Sequence, residues 1–410
     1  MPNETKTITI TLKNLNSINA KLNLWYEEIE GVTISYDSSK DIPPTKEGVV
    51  LAVDDKKVYQ LNIVNNKDET QKITFGSEAG LANKPLSFPD GKKEIVGENF
   101  ITVLQRKTND PTKVYDEITE DERKEMFTFT HEITEAQSSW KEDELIDYRY
   151  IGSNPNNYVI FNDEVWRMIG VFTVEDETDK KEKRIKLIRD QSIENYSFDN
   201  KPSGEGSSDS ENGSSYWEDS TLKDLLNAGV YYNRESGMCP YGPSNAMTAC
   251  DFTSKGLTEE AKKMIGRTKW YLGASNYGMI ASKYHESERS SAVGKEGRKT
   301  NWIGDIGMMY PSDYGYAASG NNCLSTPLSN YDVSCANIDW LYNSTFNQWT
   351  ITPNASNSYD AVVVYASAHV NNRSVADITI GVRPSLYLKS DVKVISGNGS
   401  SSNPYTIAIG

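Results

Sequence analysis

Three histidines, four cysteines and scattered carboxylates are the residues of this 410-residue chain that could do chemistry. His285 lies beside Glu286 and Glu288 in KYHESERSS, which could pair a general base with an orienting acid. The commoner reading of such a segment is a solvated loop or a helix end. There is no Gly-x-Ser-x-Gly elbow, phosphate-binding loop, His-Glu-x-x-His helix or dinucleotide glycine pattern. Asp305, Asp313, Asp332 and Asp339 offer oxygen ligands without the spacing of a calcium loop. The expectation is a protein that is not an enzyme, with no catalytic residue, no metal and no cofactor.

The cysteines fall into two local pairs. Cys239 and Cys250 share one Gly/Pro/Asn-rich segment, and Cys323 and Cys335 another. Such pairs read as two loop-closing disulfides and imply an oxidising, extracytoplasmic setting; independent buried thiols fit the same count. Metal ligation fits poorly, because no Cys-x2-Cys occurs and the histidines are only His131, His285 and His369.

A different chemistry, recognition, is written between two framework blocks, Trp349–Pro353 and Gly381–Leu388. There Asn357, Tyr359, Asp360, Ala361, Tyr365, Ser367, His369, Asn371, Asn372, Arg373, Ala376 and Asp377 interleave with Val and Ile. Tyr offers contact area at low entropy cost, and Ser and Asn adapt their hydrogen bonds, so the mixture suits a binding face. A two-faced antiparallel meander with solvated polar positions fits the same spacing. Val363, Val364, Val375 and Thr379 fit either a binding or a core-facing role.

The elements that must position these residues differ along the chain. Residues 1–97 alternate apolar and polar at period two in TKTITITL, KLNLWY, GVTISY, KVYQLNIV and QKITF, with turn clusters between, which predicts an immunoglobulin-like β-sandwich. Residues 98–147 turn acidic and carry helix-capping signals at Thr119 and at Ser138 and Ser139, the pattern of a connector with short helices. From 148 to 410 the pattern is mixed. YVIF and EVWRMIGVF bracket a hairpin turn at Asn162-Asp163, RIKLIRD is a strand, and KPSGEGSSDSENGSS is a low-complexity surface loop. Two helices follow, one with Leu222, Leu225 and Leu226 on a face and Gly229 at its stop, the other starting near Thr258 and burying Leu257, Ala261, Met264 and Ile265. The fold class expected is α+β.

Composition narrows the partners. Hydrophobic residues make up only 37%, but 24 Tyr and 8 Trp add buried area, and all of the Trp except Trp25 lie at or after Trp140. With 58 acidic against 43 basic residues and a net charge of −15, nucleic acid and anionic membrane surfaces are poor partners. No apolar run approaches the roughly 18 residues that span a bilayer. The opening MPNETKTITIT has no signal-peptide pattern, which leaves a cytosolic protein or one whose export segment is missing from this chain.

The succession VWRMIGVF, IKLIRDQSI, YWEDSTLKDLLN, IGMMYPSDYGYA, NIDWLY, QWTITP and GVRPSLYLKSDVKVISGNGSSSNPYTI resembles the C-terminal domain of a set of uncharacterised surface proteins of gut Firmicutes. That domain is similar to the C-type-lectin-like fold shared with formylglycine-generating enzymes, and the likeness covers about 150–410. ITFGSEAGLANKPLSFPDG likewise resembles the β-rich stalk that precedes it behind a membrane anchor. The stretch between QWT and GVRP is similar to the variable region of diversity-generating retroelement proteins. The resemblance implies an extracellular, cell-surface protein, attached through an anchor missing from this chain, whose residues from Asn357 to Asp377 bind an unknown protein or glycan. The rival readings are a structural subunit of a pilus or surface layer, and an oxidase of the formylglycine-generating type. The latter would need reactive cysteines that lack the matching context here. Arg383 beside Pro384 is expected to anchor the framework through a buried carboxylate or carbonyls.

Overall fold

The computed structural model describes residues 4–36, 43–44, 48–67, 69–84, 86, 90, 92–94, 96–97, 99–109, 115–202 and 213–409. Most of the low-complexity segment 201–215 therefore lies outside the described residues, as do parts of the turn clusters and of the stalk-like block in the first hundred residues. The fold is mixed α+β, with 17% helix and 37% strand, so strands dominate. The chain divides into two compact units. The first comprises 1–103, 391–398 and 405–410; the second comprises 104–390 and 399–404.

The first unit is built from short strands, as the period-two pattern requires. Glu4–Lys13, Lys56–Asn65 and Val32–Tyr36 form an antiparallel sheet that Val96–Gly97 extends in parallel. Two three-stranded sheets complete it, centred on Ala20–Leu22 and Trp25–Glu27. Leu12, Leu22, Leu24, Ile34, Tyr36, Leu51, Tyr59 and Leu61 make its core. KLNLWY is thus two strands in two different sheets, broken at the buried Asn23 and Leu24. QKITF contributes only Phe75 to a strand, although Ile73 still packs on the core. The strands Lys393–Ser396 and Tyr405–Ala408 also belong to this unit, where Tyr405 meets Phe100 edge to face at 5.0 Å. The single closing strand expected from VRPSLYLKSDVKVI is therefore two, Ser385–Tyr387 in one unit and Lys393–Ser396 in the other.

In the second unit the main sheet runs in the order Ile306–Gly307, Ser385–Tyr387, Lys181–Arg189, Glu164–Glu175, Tyr158–Phe161. The hairpin at Asn162-Asp163 forms as expected, with both residues at positive φ (58° and 62°), the conformation of a tight two-residue turn. The acidic segment 98–147 is more than a connector. Its strands Phe127–Thr130 and Ile146–Arg149 pair with each other, and the latter pairs with Glu164–Glu175. Its short helices are the α-helix Phe100–Arg106 and single 3-10 turns, among them Glu122–Lys124 after Thr119 and Glu142–Leu145 after Ser138 and Ser139.

The two expected helices are present as Thr221–Asn227, which buries Leu222, Leu225 and Leu226, and Glu259–Met264, capped by Thr258 Oγ1 accepting from Ala261 N. They are not alone. The first stops just before Gly229, as expected, and Gly229 also precedes a further helical turn, Val230–Asn233; Ala281–Glu288, Pro311–Ala317, Asn321–Leu324 and Val333–Ala336 are helical too. Gly315 lets two of these approach closely, since a Cβ there would sit 2.8 Å from the Cβ of Ala281. A second sheet, in the order Val370–Ser374, Asp360–Val364, Asn347–Pro353, Ile380–Gly381, carries the recognition stretch. Both cysteine pairs close as disulfides, Cys239–Cys250 and Cys323–Cys335, in keeping with an extracellular setting. No helix among the described residues is long and apolar enough to cross a membrane.

Candidate recognition surface and a buried charge cluster

The framework beneath the recognition stretch is fully buried. Trp349 is 1% exposed and its indole N–H donates to Tyr196 O at 2.8 Å. Arg383 anchors the blocks through oxygens other than carboxylates, donating to Arg189 O, Leu341 O and Gln348 Oε1 at 2.9, 3.2 and 2.7 Å. Burial brings its guanidinium down to about 10. Val362, Val363, Val364 and Val375 are all buried, so the three valines left open between two roles face the core, whereas Thr379 is exposed.

Pairing register sorts the twelve candidates. Ala361 lies opposite Arg373, Val363 opposite Asn371 and Val364 opposite Val370. Odd positions therefore share one side of the strands. Tyr365 and His369 stack with ring centres 4.7 Å apart and planes 8° from parallel. Ser367 Oγ is 3.0 Å from His369 Nδ1, and Arg373 Nε donates to Asp377 Oδ2 at 2.6 Å. Burial raises the Tyr365 hydroxyl, with Arg373 acting in the opposite sense. Tyr365, Ser367, His369, Asn371 and Arg373, with Asp377, thus form one continuous group.

The other candidates fall outside it. Ala361 and Ala376 are buried, at 0% and 6% exposure, and have no surface to offer a ligand, although Ala361 shares its side of the strands with Arg373. Asn357 is occupied in its own turn. Its Oδ1 accepts from Tyr359 N and Asp360 N, and its Nδ2 donates to Asp360 Oδ2. Tyr359 and Asp360 sit at this far end, half-buried, and Asn372 turns to the opposite side of its strand.

The turn at Tyr365–His369 is held through its backbone. Tyr314 Oη donates to Ala368 O and Tyr342 Oη to Ala366 O, each at 2.7 Å, while Ala366 N donates to Asn347 Oδ1 at 2.9 Å. Tyr365 N and Ala368 N close the turn on His369 O and Tyr365 O. None of these bonds uses the side chain of 365, 367 or 369. Sequence reasoning missed a neighbouring patch: Gly242, in the hairpin stapled by Cys239–Cys250, packs near Ile378, and the same hairpin exposes Met238, Tyr241 and Met247. Three large apolar residues beside paired cysteines were the available signal.

A second array is internal, and it corrects the reading of His285 as solvated. His285 is 2% exposed and stacks on His131, with ring centres 3.8 Å apart. His131 Nε2 is 2.7 Å from Asp147 Oδ2, which also accepts from Arg149 Nη2 at 2.8 Å. Arg149 Nη1 continues to Asp313 Oδ1, and Lys186 Nζ meets Asp313 Oδ2. Glu288 accepts from Ser312 N, Ser312 Oγ and Arg289 Nη1. Burial alone would raise Asp147, but His131 and Arg149 reverse this and hold it well below the usual carboxylate range. Burial, with Arg289, His131 and Arg149 nearby, pushes His285 well below its ordinary value.

Donor atoms of His131, Asp147 and His285 lie within 4.8 Å of one another, the composition of a two-histidine, one-carboxylate metal site. The geometry favours charge pairing instead. Parallel stacked rings direct their nitrogen lone pairs side by side rather than at one point, the bonding Asp147 oxygen is already shared by His131 and Arg149, and Arg149 and Arg289 would repel a cation.

The aspartates considered as calcium ligands have separate tasks. Asp305 accepts from Tyr232 Oη, Asp332 caps Val333–Ala336, Asp339 accepts from Leu341 N and Tyr342 N, and Asp313 joins the charge cluster. A cavity of about 370 Å³ beside the Cys239–Cys250 disulfide, lined among others by Glu194, Tyr196, Tyr241, Phe252 and Lys255, contains neither histidine nor a free thiol. Scans of family models and searches of curated proteins and of solved structures return no match to this chain.

Proposed function

We propose that the protein is an extracellular, cell-surface ligand-binding protein. In this reading the β-rich first unit is an immunoglobulin-like stalk and the second a C-type-lectin-like head, as the resemblance implies. The ligand, a protein or a glycan, meets Tyr365, Ser367, His369, Asn371, Arg373 and Asp377. Tyr365 and Arg373 are the anchors, and the Ser and Asn groups adjust their hydrogen bonds. Binding is noncatalytic.

The observation that carries the reading is the backbone clamp on the 365–369 turn. Tyr314, Tyr342 and Asn347 hold its carbonyls and an amide, so the projecting side chains are free to change without altering the turn. That property is what a diversified binding surface needs. Both cysteine pairs are closed as disulfides, which favours a binder over an oxidase that requires reactive thiols.

Deep sequencing of the gene across a growing population tests the diversified form of this reading. Substitutions are expected to concentrate in the codons for 365, 367, 369, 371 and 373 and to spare 361–364 and 375–376. An even spread of substitutions over the whole gene would overturn diversification. For binding itself, the full chain is passed over immobilised glycans and surface proteins. Any interaction found is expected to weaken at least tenfold in a Tyr365, His369 and Arg373 triple alanine variant, and undiminished binding by that variant would sink the site assignment.

A further inference from the structure

Among the described residues, the most deeply buried ion pair of the second unit joins a strand to a helix. Lys186, in Lys181–Arg189, places Nζ 2.6 Å from Oδ2 of Asp313, in Pro311–Ala317, with side chains 0% and 2% exposed. Three aromatic rings surround the amine, Tyr310 at 4.1 Å, Trp270 at 5.1 Å and Tyr387 at 5.4 Å. Burial in this cage pushes the Lys186 amine down, with Asp313 pulling the other way. Asp313 is held at both oxygens: Oδ1 faces Arg149 Nη1 at 3.1 Å, and Oδ2 also accepts from Tyr310 N at 2.9 Å.

We propose that Lys186 and Asp313 are the two halves of an intramolecular amide cross-link, formed by condensation of the amine with the side-chain carboxyl. Proton transfer across the 2.6 Å contact converts the ion pair into a neutral amine and a carboxylic acid. The Nζ lone pair then bonds to Cγ, and the charge that develops on Oδ1 faces the Arg149 guanidinium. The Cγ–Oδ2 bond breaks, and Oδ2 departs as water with the transferred proton and a second proton from Nζ. No electrons are gained or lost, and no co-reactant is consumed. Holding the two groups in contact replaces a bimolecular encounter, an advantage on the order of 10⁵–10⁸ M in effective concentration.

Burial alone would raise Asp313, but Lys186 and Arg149 reverse this and favour its ionised form. The neutral pair is therefore a minor population, and the bond forms slowly after folding.

Intact-mass measurement of the denatured full chain tests the proposal, first on freshly folded protein and then after incubation. The expected result is a species lighter by one water, beyond the hydrogens lost at the disulfides, which grows with time. Its peptide map should join the segment containing Lys186 to the one containing Asp313. A mass that stays at the sequence value throughout, or a lost water that maps elsewhere as a succinimide, overturns the cross-link and leaves an ion pair. Lys186→Arg keeps the charge but has no primary amine, so the lighter species should vanish. Its persistence in that variant would equally overturn the assignment.

Discussion

The turn at Tyr365–His369 and the cluster around Asp313 lie in the same unit and are held in opposite ways. The turn is fixed by bonds to its own carbonyls and amide from Tyr314, Tyr342 and Asn347, so its side chains contribute little to its shape. In the cluster nearly every bond is made by a side chain, and Asp147 and Asp313 each serve two cations or a cation and a histidine. Backbone anchoring frees residue identity; side-chain anchoring fixes it. A protein that must vary in one place and stay constant elsewhere can separate the two requirements in this manner.

The contrast can be broken most strongly from the buried side. Arg149→Met removes one partner from two carboxylates that are nine-tenths or more buried, and is expected to cost about 3–5 kcal/mol in urea unfolding. A loss below about 1 kcal/mol would mean that the cluster rearranges as freely as a surface.

Acid titration sharpens the comparison at intermediate size. His285 has a depressed value in the fold, so its contribution is present above the ordinary histidine pKa of about 6.5 and is lost as pH falls below it. Glu288 is raised to about 7, so its contribution is present below about 4.5 and is lost as pH rises toward 7. The two slopes oppose each other between about pH 4.5 and 6.5. Glu288→Gln deletes one of them, and the unfolding midpoint should then climb more steeply with pH across that window. A profile parallel to that of the parent protein would contradict the burial of Glu288.

The smallest effects belong to the turn. Ser367→Ala and Arg373→Ala should each change stability by no more than about 0.5 kcal/mol, read from the same unfolding curves, because the backbone bonds remain. A loss above about 2 kcal/mol for Ser367→Ala would show that the side chains hold the turn after all.

Much of this was legible in the chain, unevenly. Period-two alternation located Glu4–Lys13 and Lys56–Asn65, the Asn162-Asp163 dipeptide located its hairpin, and the leucine spacing located Thr221–Asn227. Paired cysteines in loop-like segments found their partners. The candidates between Asn357 and Asp377 were not sorted by exposure, because burial of Ala361 and Ala376 depends on what packs over them rather than on residue type. KYHESERSS concealed a buried helix face, because part of what packs on it comes from afar: His131 stacks on His285 and Ser312 donates to Glu288, beside the local Arg289. One signal was readable. Tyr310-Pro311 followed by Asp313 has proline at the first helical position and an acid at the third, a helix start that marks Pro311–Ala317.

The disulfides carry a consequence for how the chain matures. Cys239 and Cys250 are 11 residues apart, and Cys323 and Cys335 are 12 apart, so each cysteine is joined to its nearest neighbour in the sequence. Loop-closure probability falls with contour length, and every cross pairing would need a far longer loop. The native connectivity is thus also the one that random collisions in an unfolded, freshly exported polypeptide form first. Oxidation that precedes folding is therefore biased toward the native pairing.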